Sequence, residues 1–133
     1  MNTLKGKIES INTSADLSIV SVSVSNIIFK SIVIETPDTV NYLKRGHRVD
    51  LHFKETEVVI SKGDSDSISM QNIIPGKVTE IENGHLLSRI AIQSDIGKII
   101  SIITSDSVKR LDLTVGQQVD ALIKTNEIML SDD

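Results

Sequence analysis

The chain has 133 residues, of which 39% are hydrophobic and 24% charged, as in an ordinary globular protein. It has no cysteine, which excludes disulfides, cysteine-ligated zinc and thiol catalysis. A net charge of −4 and only two Phe and one Tyr, with no Trp, argue against nucleic-acid binding. No apolar run reaches the roughly 18 residues of a membrane span, and residues 1–6 lack a signal-peptide core. The predicted location is therefore cytoplasmic, with no membrane partner.

The sequence contains an internal repeat with an offset of 70 residues. The matched segments are LKGKI with IPGKV, GHRVD with GQQVD, and KETEV with KTNEI, which begin at residues 4 and 74, 46 and 116, and 54 and 124. We predict two similar domains, 1–64 and 67–133, joined by the polar segment 61–66. Units this small bury only about 60% of their unfolded surface, so we expect them to pack on each other, on a second chain, or on both.

Alternation of apolar and polar residues predicts about five short strands in each domain. In the first domain they are 6–11, 19–25, 30–34, 49–53 and 57–60, and in the second they are 76–81, 87–93, 98–102, 119–123 and 127–130. In the second strand of each domain the best match has an offset of 68, which aligns Val22 with Ile90. This alignment predicts two extra residues in the first domain before that strand, and the loss of two residues, equivalent to Asp112 and Leu113, after Leu43.

A short helix is predicted at 104–111, because a capping Thr104 precedes Val108 and Leu111 at helical spacing. Its counterpart is predicted at 36–43, with Pro37 at the first helical position. The predicted fold class is all-β with short helices, arranged as two tandem five-stranded barrels of the oligonucleotide/oligosaccharide-binding type.

Catalytic signatures are weak. His47, His52 and His85 do not recur in the other repeat, and His47 and His52 lie five apart on a predicted strand, so they face opposite sides. They are interpreted as surface histidines rather than metal ligands or bases. The sequence has no glycine-rich phosphate loop, nucleophile elbow or repeated carboxylate pair, so we predict that the chain is not an enzyme.

Small hydrogen-bond donors do repeat. Thr104 and Ser107 lie at the start of the predicted second helix, and Thr36 and Thr39 lie at the start of the first. Each pair of hydroxyls is either an anion site or a plain helix cap. Lys124 and its counterpart Lys54 form a second candidate donor segment, whose alternative is a solvated lysine. The stretch with Ser69, Gln71 and Asn72 forms a third, whose alternative is a linker. Hydroxyls, amides and a lysine hold a small oxyanion without transforming it.

Residues 104–130, TSDSVKRLDLTVGQQVDALIKTNEIML, resemble the Mop domain of molbindins, which are molybdenum-pterin-binding or molybdate-storage proteins. That family typically reads T-K-E-S-V-x-x-L-x-L-x-x-G-x-x-V-x-A-x-I-K-A-x-E-V-M-L. Residues 72–78, NIIPGKV, resemble the family's S-A-R-N-x-L-x-G-x-V. Because the two repeats cover nearly the whole chain, it is similar to a tandem, two-Mop molbindin.

This resemblance implies a cytoplasmic storage or homeostasis protein that binds molybdate or tungstate between Mop domains, in a homotrimer of tandem chains. By position it implies the anion-binding residues Ser69, Gln71, Asn72, Thr104, Ser107, Lys124 and Thr125, with Thr36, Thr39 and Lys54 in the first repeat. Two departures stand out: Gln71 replaces the family arginine, and Glu55 replaces the small residue after the lysine. The alternative is an oxyanion-sensing interaction module, similar to the effector part of molybdate-responsive transcription regulators but without its own DNA-binding domain.

Overall fold

The computed structural model describes residues 1–63 and 65–133. In this part of the chain, ten strands form two antiparallel sheets of five, which confirms the predicted all-β class. The strands are β1 Asn2–Ser14, β2 Leu17–Val24, β3 Ile27–Val33, β4 Arg48–Phe53, β5 Val59–Ser61, β6 Asn72–Asn83, β7 Leu87–Ser94, β8 Gly97–Thr104, β9 Gln118–Ile123 and β10 Met129–Asp132. Helix α1 spans Ser105–Leu111, and 3-10 turns occupy Glu55–Glu57 and Thr125–Glu127. No helix among these residues is long and apolar enough to cross a membrane.

The two repeats exchange their last strands. The first sheet has the order β10-β4-β1-β2-β3, and the second has the order β5-β9-β6-β7-β8. Each sheet therefore takes four strands from one repeat and its fifth from the other. The edge strands also approach each other, since β10 lies beside β3 and β5 beside β8, which curls each sheet toward a barrel.

Buried contacts hold the two crossing segments, which are the segments that lead into β5 and β10 and join the other repeat's sheet. Val58 and Ile128, which precede β5 and β10, are 1% and 2% exposed. Their carbonyl oxygens accept hydrogen bonds from buried serines of the opposite repeat, Ser101 Oγ to Val58 at 2.8 Å and Ser31 Oγ to Ile128 at 2.7 Å. The predicted boundary at residue 64 lies outside the described residues, and the domain bounds 1–64 and 67–133 stay a prediction. Because of the exchange, neither range contains all the strands of one sheet.

The predicted shift of the repeat offset from 70 to 68 is wrong. Val22 pairs with Ile8 across β1 and β2, and Ile92 pairs with Val78 across β6 and β7, so Val22 corresponds to Ile92 at an offset of 70. No insertion precedes β2, and no residues are lost after Leu43. The error has a simple cause: a slip of two residues along a strand leaves every side chain on its original face, so the alternating pattern does not detect it.

The predicted helix at 36–43 is also wrong, because this segment forms turns. Two hydrogen bonds from Thr39 N and Val40 N to the Thr36 carbonyl close it, at 3.0 and 3.2 Å. In α1 the amide of Ser107 donates to Thr104 Oγ1 at 3.1 Å. At an offset of 70 the equivalent residues are Pro37 and Ile34, and neither the N–H donor nor the hydroxyl acceptor of that cap exists.

The repeats share one hydrophobic core, as expected for units too small to be stable alone. Its largest fully buried side chains come from both repeats, and they include Phe29, Phe53, Ile90, Ile92 and Leu122. The repeated glycines allow the strands to pack: a Cβ atom on Gly6 would lie 2.6 Å from a Val22 methyl group, and one on Gly76 would lie 2.5 Å from an Ile92 methyl group.

Candidate functional site

Asn72 is the most deeply buried of the predicted site residues, at 0% exposure. Its Nδ2 donates to the carbonyls of Lys30 at 2.9 Å and Ile123 at 3.1 Å, and its Oδ1 accepts from Lys30 N at 2.7 Å. Asn2 does the same in the first repeat, exchanging hydrogen bonds of 2.8 and 2.9 Å with the backbone of Ile100. Both donors of the Asn72 amide are used, so the side chain has no N–H left for an anion.

Lys124 lies at the end of β9, next to the strand that Asn72 begins. Asn72 is the cross-strand partner of Ile123, and continuing this register puts Gln71 opposite Lys124. Lys124 and Gln71 are exposed, and Thr125 is half-buried at the start of the second 3-10 turn. Ser69 is exposed two residues before Gln71. The structure thus brings a lysine, an amide and a hydroxyl to one end of the second sheet.

Lys54 occupies the equivalent place in the first repeat, before the first 3-10 turn, and is exposed. The carboxylate that follows it turns toward the start of the chain, where Glu55 Oε2 lies 2.6 Å from the Met1 α-amino group. The hydrogen bond from that amino group holds the pKa of Glu55 below its usual value. A carboxylate next to Lys54 repels an anion, and here the adjacent Met1 amino group partly neutralises that charge.

Thr104 and Ser107 lie in a groove of about 440 Å³ between the two repeats. Thr104 Oγ1 donates to Ser107 Oγ at 2.9 Å and accepts from Ser107 N, so the two hydroxyls form one small polar cluster. Thr56, from the first 3-10 turn, and Arg110 line the same groove, whose other walls are apolar. Sequence reasoning missed both residues, although Arg110 follows Ser107 by three positions and therefore shares its helix face.

Thr36 and Thr39 form a compact turn. Thr36 is 8% exposed, its amide donates to Thr39 Oγ1 at 2.8 Å, and Thr39 Oγ1 donates to the Thr36 carbonyl at 3.1 Å. At the offset of 70 set by the strand register, Thr36 corresponds to Asp106, so these threonines are not the equivalents of Thr104 and Ser107. Of the two residues, Thr36 is buried and Thr39 is exposed.

The strand exchange decides which predicted residues become neighbours. The first 3-10 turn packs against β8, and the second packs against β3. Thr104 and Ser107 therefore face the segment after Lys54, from the other repeat, rather than the segment after Lys124. The sequence grouped Ser69, Thr104, Ser107 and Lys124; the structure places these residues in two separate groups within one chain.

Two of the three histidines, His47 and His52, have structural partners. His47 Nε2 lies 2.7 Å from Asp132 Oδ1, and the His52 ring nitrogens lie 3.0 Å from Thr3 Oγ1 and 2.8 Å from Ser131 Oγ. These contacts join β4 to its neighbours β1 and β10. The part of the chain that the structure describes has no group of three or more His, Cys, Asp or Glu side chains that could hold a metal ion.

Comparison with known proteins identifies relatives of this chain. A TOBE-domain model matches residues 68–130. Molybdenum-pterin-binding protein 1 of Clostridium pasteurianum is 35% identical over 65 residues, which are 48% of this chain and 96% of that protein. The molybdenum import ATP-binding protein ModC of Rhizobium etli is 32% identical over 125 residues, 92% of this chain. The chain spans about a third of the length of ModC, 32%.

Among solved structures, the cytoplasmic molybdate-binding protein ModG, crystallised with molybdate bound, has a TM-score of 0.92 to this chain. The match covers 99% of this chain and 96% of that one at 24% identity, and it shows a shared fold. The sequence identity to the clostridial protein, over nearly its full length, shows the family. The chain belongs to the molybdenum-pterin-binding proteins, with their TOBE-type domain present as a tandem repeat.

Proposed function

We propose that this protein binds molybdate, or the similar dianion tungstate, and serves storage or homeostasis without catalysing a reaction. The observation that carries the proposal is the 35% identity to a molybdenum-pterin-binding protein over 96% of that protein's length. The exposed donors support it, because hydroxyls, amides and lysines bind a tetrahedral oxyanion through charge-assisted hydrogen bonds. A cytoplasmic location is part of the proposal, supported by the description of ModG as cytoplasmic.

The anion sites that we propose combine the lysine segment of one repeat with the hydroxyl segment of the other. Packing of the first 3-10 turn on β8 supports joining Lys54 with Thr104 and Ser107. Packing of the second turn on β3 supports joining Lys124 and Thr125 with the turn at Thr36 and Thr39. Ser69 and Gln71 lie at the Lys124 end of β6 and extend that site. Asn72 is left out, because its amide is fully used.

We further propose that the chain forms a homotrimer, with anions between Mop domains. Equivalent positions of the two repeats expose apolar side chains, Leu17 at 42% and Leu87 at 55%. Ile19, Val59 and Leu86 add to this exposed apolar surface. Exposed apolar area repeated at equivalent places fits an interface that a symmetric oligomer uses more than once. Native mass spectrometry with added molybdate measures the number of chains and of bound anions, and a monomer in both conditions would rule out the trimer.

Calorimetric titration with molybdate, tungstate, sulfate and phosphate tests the ligand. At protein concentrations of roughly tens of micromolar, a micromolar dissociation constant is measurable. We expect saturable heat from molybdate and tungstate and weaker binding of sulfate and phosphate at the same sites. The absence of heat from both metal oxyanions would contradict the proposal.

A second candidate is a module that reports the oxyanion level to a partner protein. It is favoured by the match to ModC, where a region similar to 92% of this chain belongs to a protein about three times as long. Affinity purification with and without molybdate separates the two roles. A partner captured only with molybdate present supports sensing, whereas an unchanged set of partners supports storage.

A further inference from the structure

A row of polar side chains with two cations crosses the strands β4, β1 and β2 of the first sheet, at the other end of β4 from Lys54. Lys7 on β1 lies directly opposite Arg48 on β4 and also opposite Ser23 on β2. Lys7 and Arg48 are exposed, and neither side chain takes part in any ion pair or hydrogen bond among residues 1–63 and 65–133. Like charges directly opposite on adjacent strands are unfavourable unless an anion lies between them.

These side chains line a groove of about 280 Å³, together with Lys5, Ser25 and Asp133. A water molecule takes up about 30 Å³ in the liquid, so the groove accommodates a phosphoryl group and several waters. The protein carries a net charge of −4, and this groove is a local exception to its acidic character.

Carboxylates already approach one side of this groove. Asp133 Oδ1 and Asp50 Oδ1 each lie 3.2 Å from Lys5 Nζ, and both hydrogen bonds raise the pKa of Lys5. The backbone amide of Asp133 donates to the Arg48 carbonyl at 3.4 Å, which lays this acidic residue along β4. Both acids are engaged by Lys5. Lys7 and Arg48 form no ion pair of their own among the residues that the structure describes, although Asp133 lines the same groove.

The second repeat provides an internal comparison. Lys77 lies opposite Gln118 and Gln93, so the equivalent row has one cation between two neutral amides. Pro75 stands at the position of Lys5, and Asp95 at the position of Ser25. The fold therefore does not need the paired cations, and a glutamine at the position of Arg48 is compatible with it. The pairing is a property of the first repeat alone.

We propose that Lys7 and Arg48 form a second anion site, specific to the first repeat, for a phosphate-type dianion such as a phosphate monoester. The planar guanidinium of Arg48 presents two parallel N–H groups to two phosphate oxygens, and the Lys7 ammonium acts as a point charge on a third. Asp133 lies at the rim and repels such a ligand, so its carboxylate weakens binding. The site is independent of the proposed molybdate sites.

Amide chemical shifts of the whole protein, titrated with inorganic phosphate at constant ionic strength, test this site. We expect saturable shifts at residues 7, 23 and 48 with a dissociation constant on the order of 1 mM. Arg48→Gln, which installs the residue of the second repeat, weakens binding by about tenfold or more. Lys77→Gln is the matched control and leaves it unchanged, whereas Asp133→Asn strengthens it.

A gain-of-function variant guards against misfolding as an explanation for loss. Gln118→Arg places a second cation opposite Lys77 and is expected to create new phosphate-dependent shifts at residues 77, 93 and 118. If Arg48→Gln loses the dispersed spectrum of the folded chain, Lys7→Gln takes its place. Shifts that never saturate, or that sodium chloride reproduces, would refute the site. The site would also be refuted if the Arg48→Gln variant bound phosphate as tightly as the wild type. Tighter binding of molybdate than of phosphate at these amides would refute it too.

Discussion

Asn72 and Lys30 form a reciprocal pair between the repeats: Lys30 N donates to Asn72 Oδ1 at 2.7 Å, and Asn72 Nδ2 donates back to the Lys30 carbonyl at 2.9 Å. The side chain thus completes the hydrogen bonding of β3, an edge strand of the other repeat's sheet. The side chain of a residue that the family motif implies as an anion ligand thus joins the two halves of the molecule.

Replacing Asn72 by alanine is expected to destabilise the fold strongly. The change removes three hydrogen bonds and leaves backbone groups of Lys30 and Ile123 without their partner. A typical hydrogen bond contributes about 0.5–1.5 kcal/mol net, so we expect the loss of three to cost roughly 2–4 kcal/mol. Urea unfolding measures it. Asn41→Ala, at an exposed turn position, should change stability by less than about 0.5 kcal/mol.

The crossing segments should depend on their buried serines. Ser101→Ala removes the donor to the Val58 carbonyl and is expected to cost about 1–2 kcal/mol in the free energy of unfolding. Ser31→Ala, which acts on Ile128 in the other repeat, should cost a similar amount. Hydrogen exchange is the more specific measurement, since we expect faster exchange in β5 for the first variant and in β10 for the second. If amide exchange were faster by the same factor throughout both sheets, the serines would not stabilise β5 and β10 locally.

Lys124→Ala is expected to weaken molybdate binding more than Lys54→Ala. Thr125 follows Lys124, whereas Glu55 follows Lys54 and places a carboxylate near the site. Loss of a charge-assisted hydrogen bond costs about 1.5 kcal/mol or more, which is roughly tenfold in affinity. Calorimetry on both variants measures the difference. Equal losses would mean that the Met1 α-amino group neutralises Glu55 completely.

Tyr42 should make stability sensitive to alkaline pH. Burial and the hydrogen bond that Tyr42 Oη donates to Glu35 at 3.1 Å raise the pKa of the phenol from 10.0 to about 12. Because the folded-state pKa is raised, this contribution to stability is fully present below pH 10.0 and is lost as the pH rises through about 12. Tyr42→Phe should therefore lose less stability across that window. Urea unfolding of the two proteins at each pH measures the difference. An equal loss in the free energy of unfolding for both would contradict the prediction.

Sequence reasoning located the elements well because short strands have a strong local signature. The alternation in residues 19–25 predicts a strand, and the structure has β2 there, at Leu17–Val24. Sequence reasoning failed where the local pattern fits more than one structure. Thr36 and Pro37 look like the start of a helix, but the strand register puts Thr36 two positions away from Ile34, the equivalent of Thr104.

The sequence by itself determined the duplication, the all-β class, the family and the kinds of donor that the surface carries, since all of these are written in residue types and spacing. Only the tertiary structure decided which donors become neighbours. Exchange of β5 and β10 packs the 3-10 turn after each lysine against the opposite repeat, and the Asn72 side chain joins the two repeats. That outcome depends on which of the two similar sheets each strand completes, and the alternating pattern within a single strand does not name its partner.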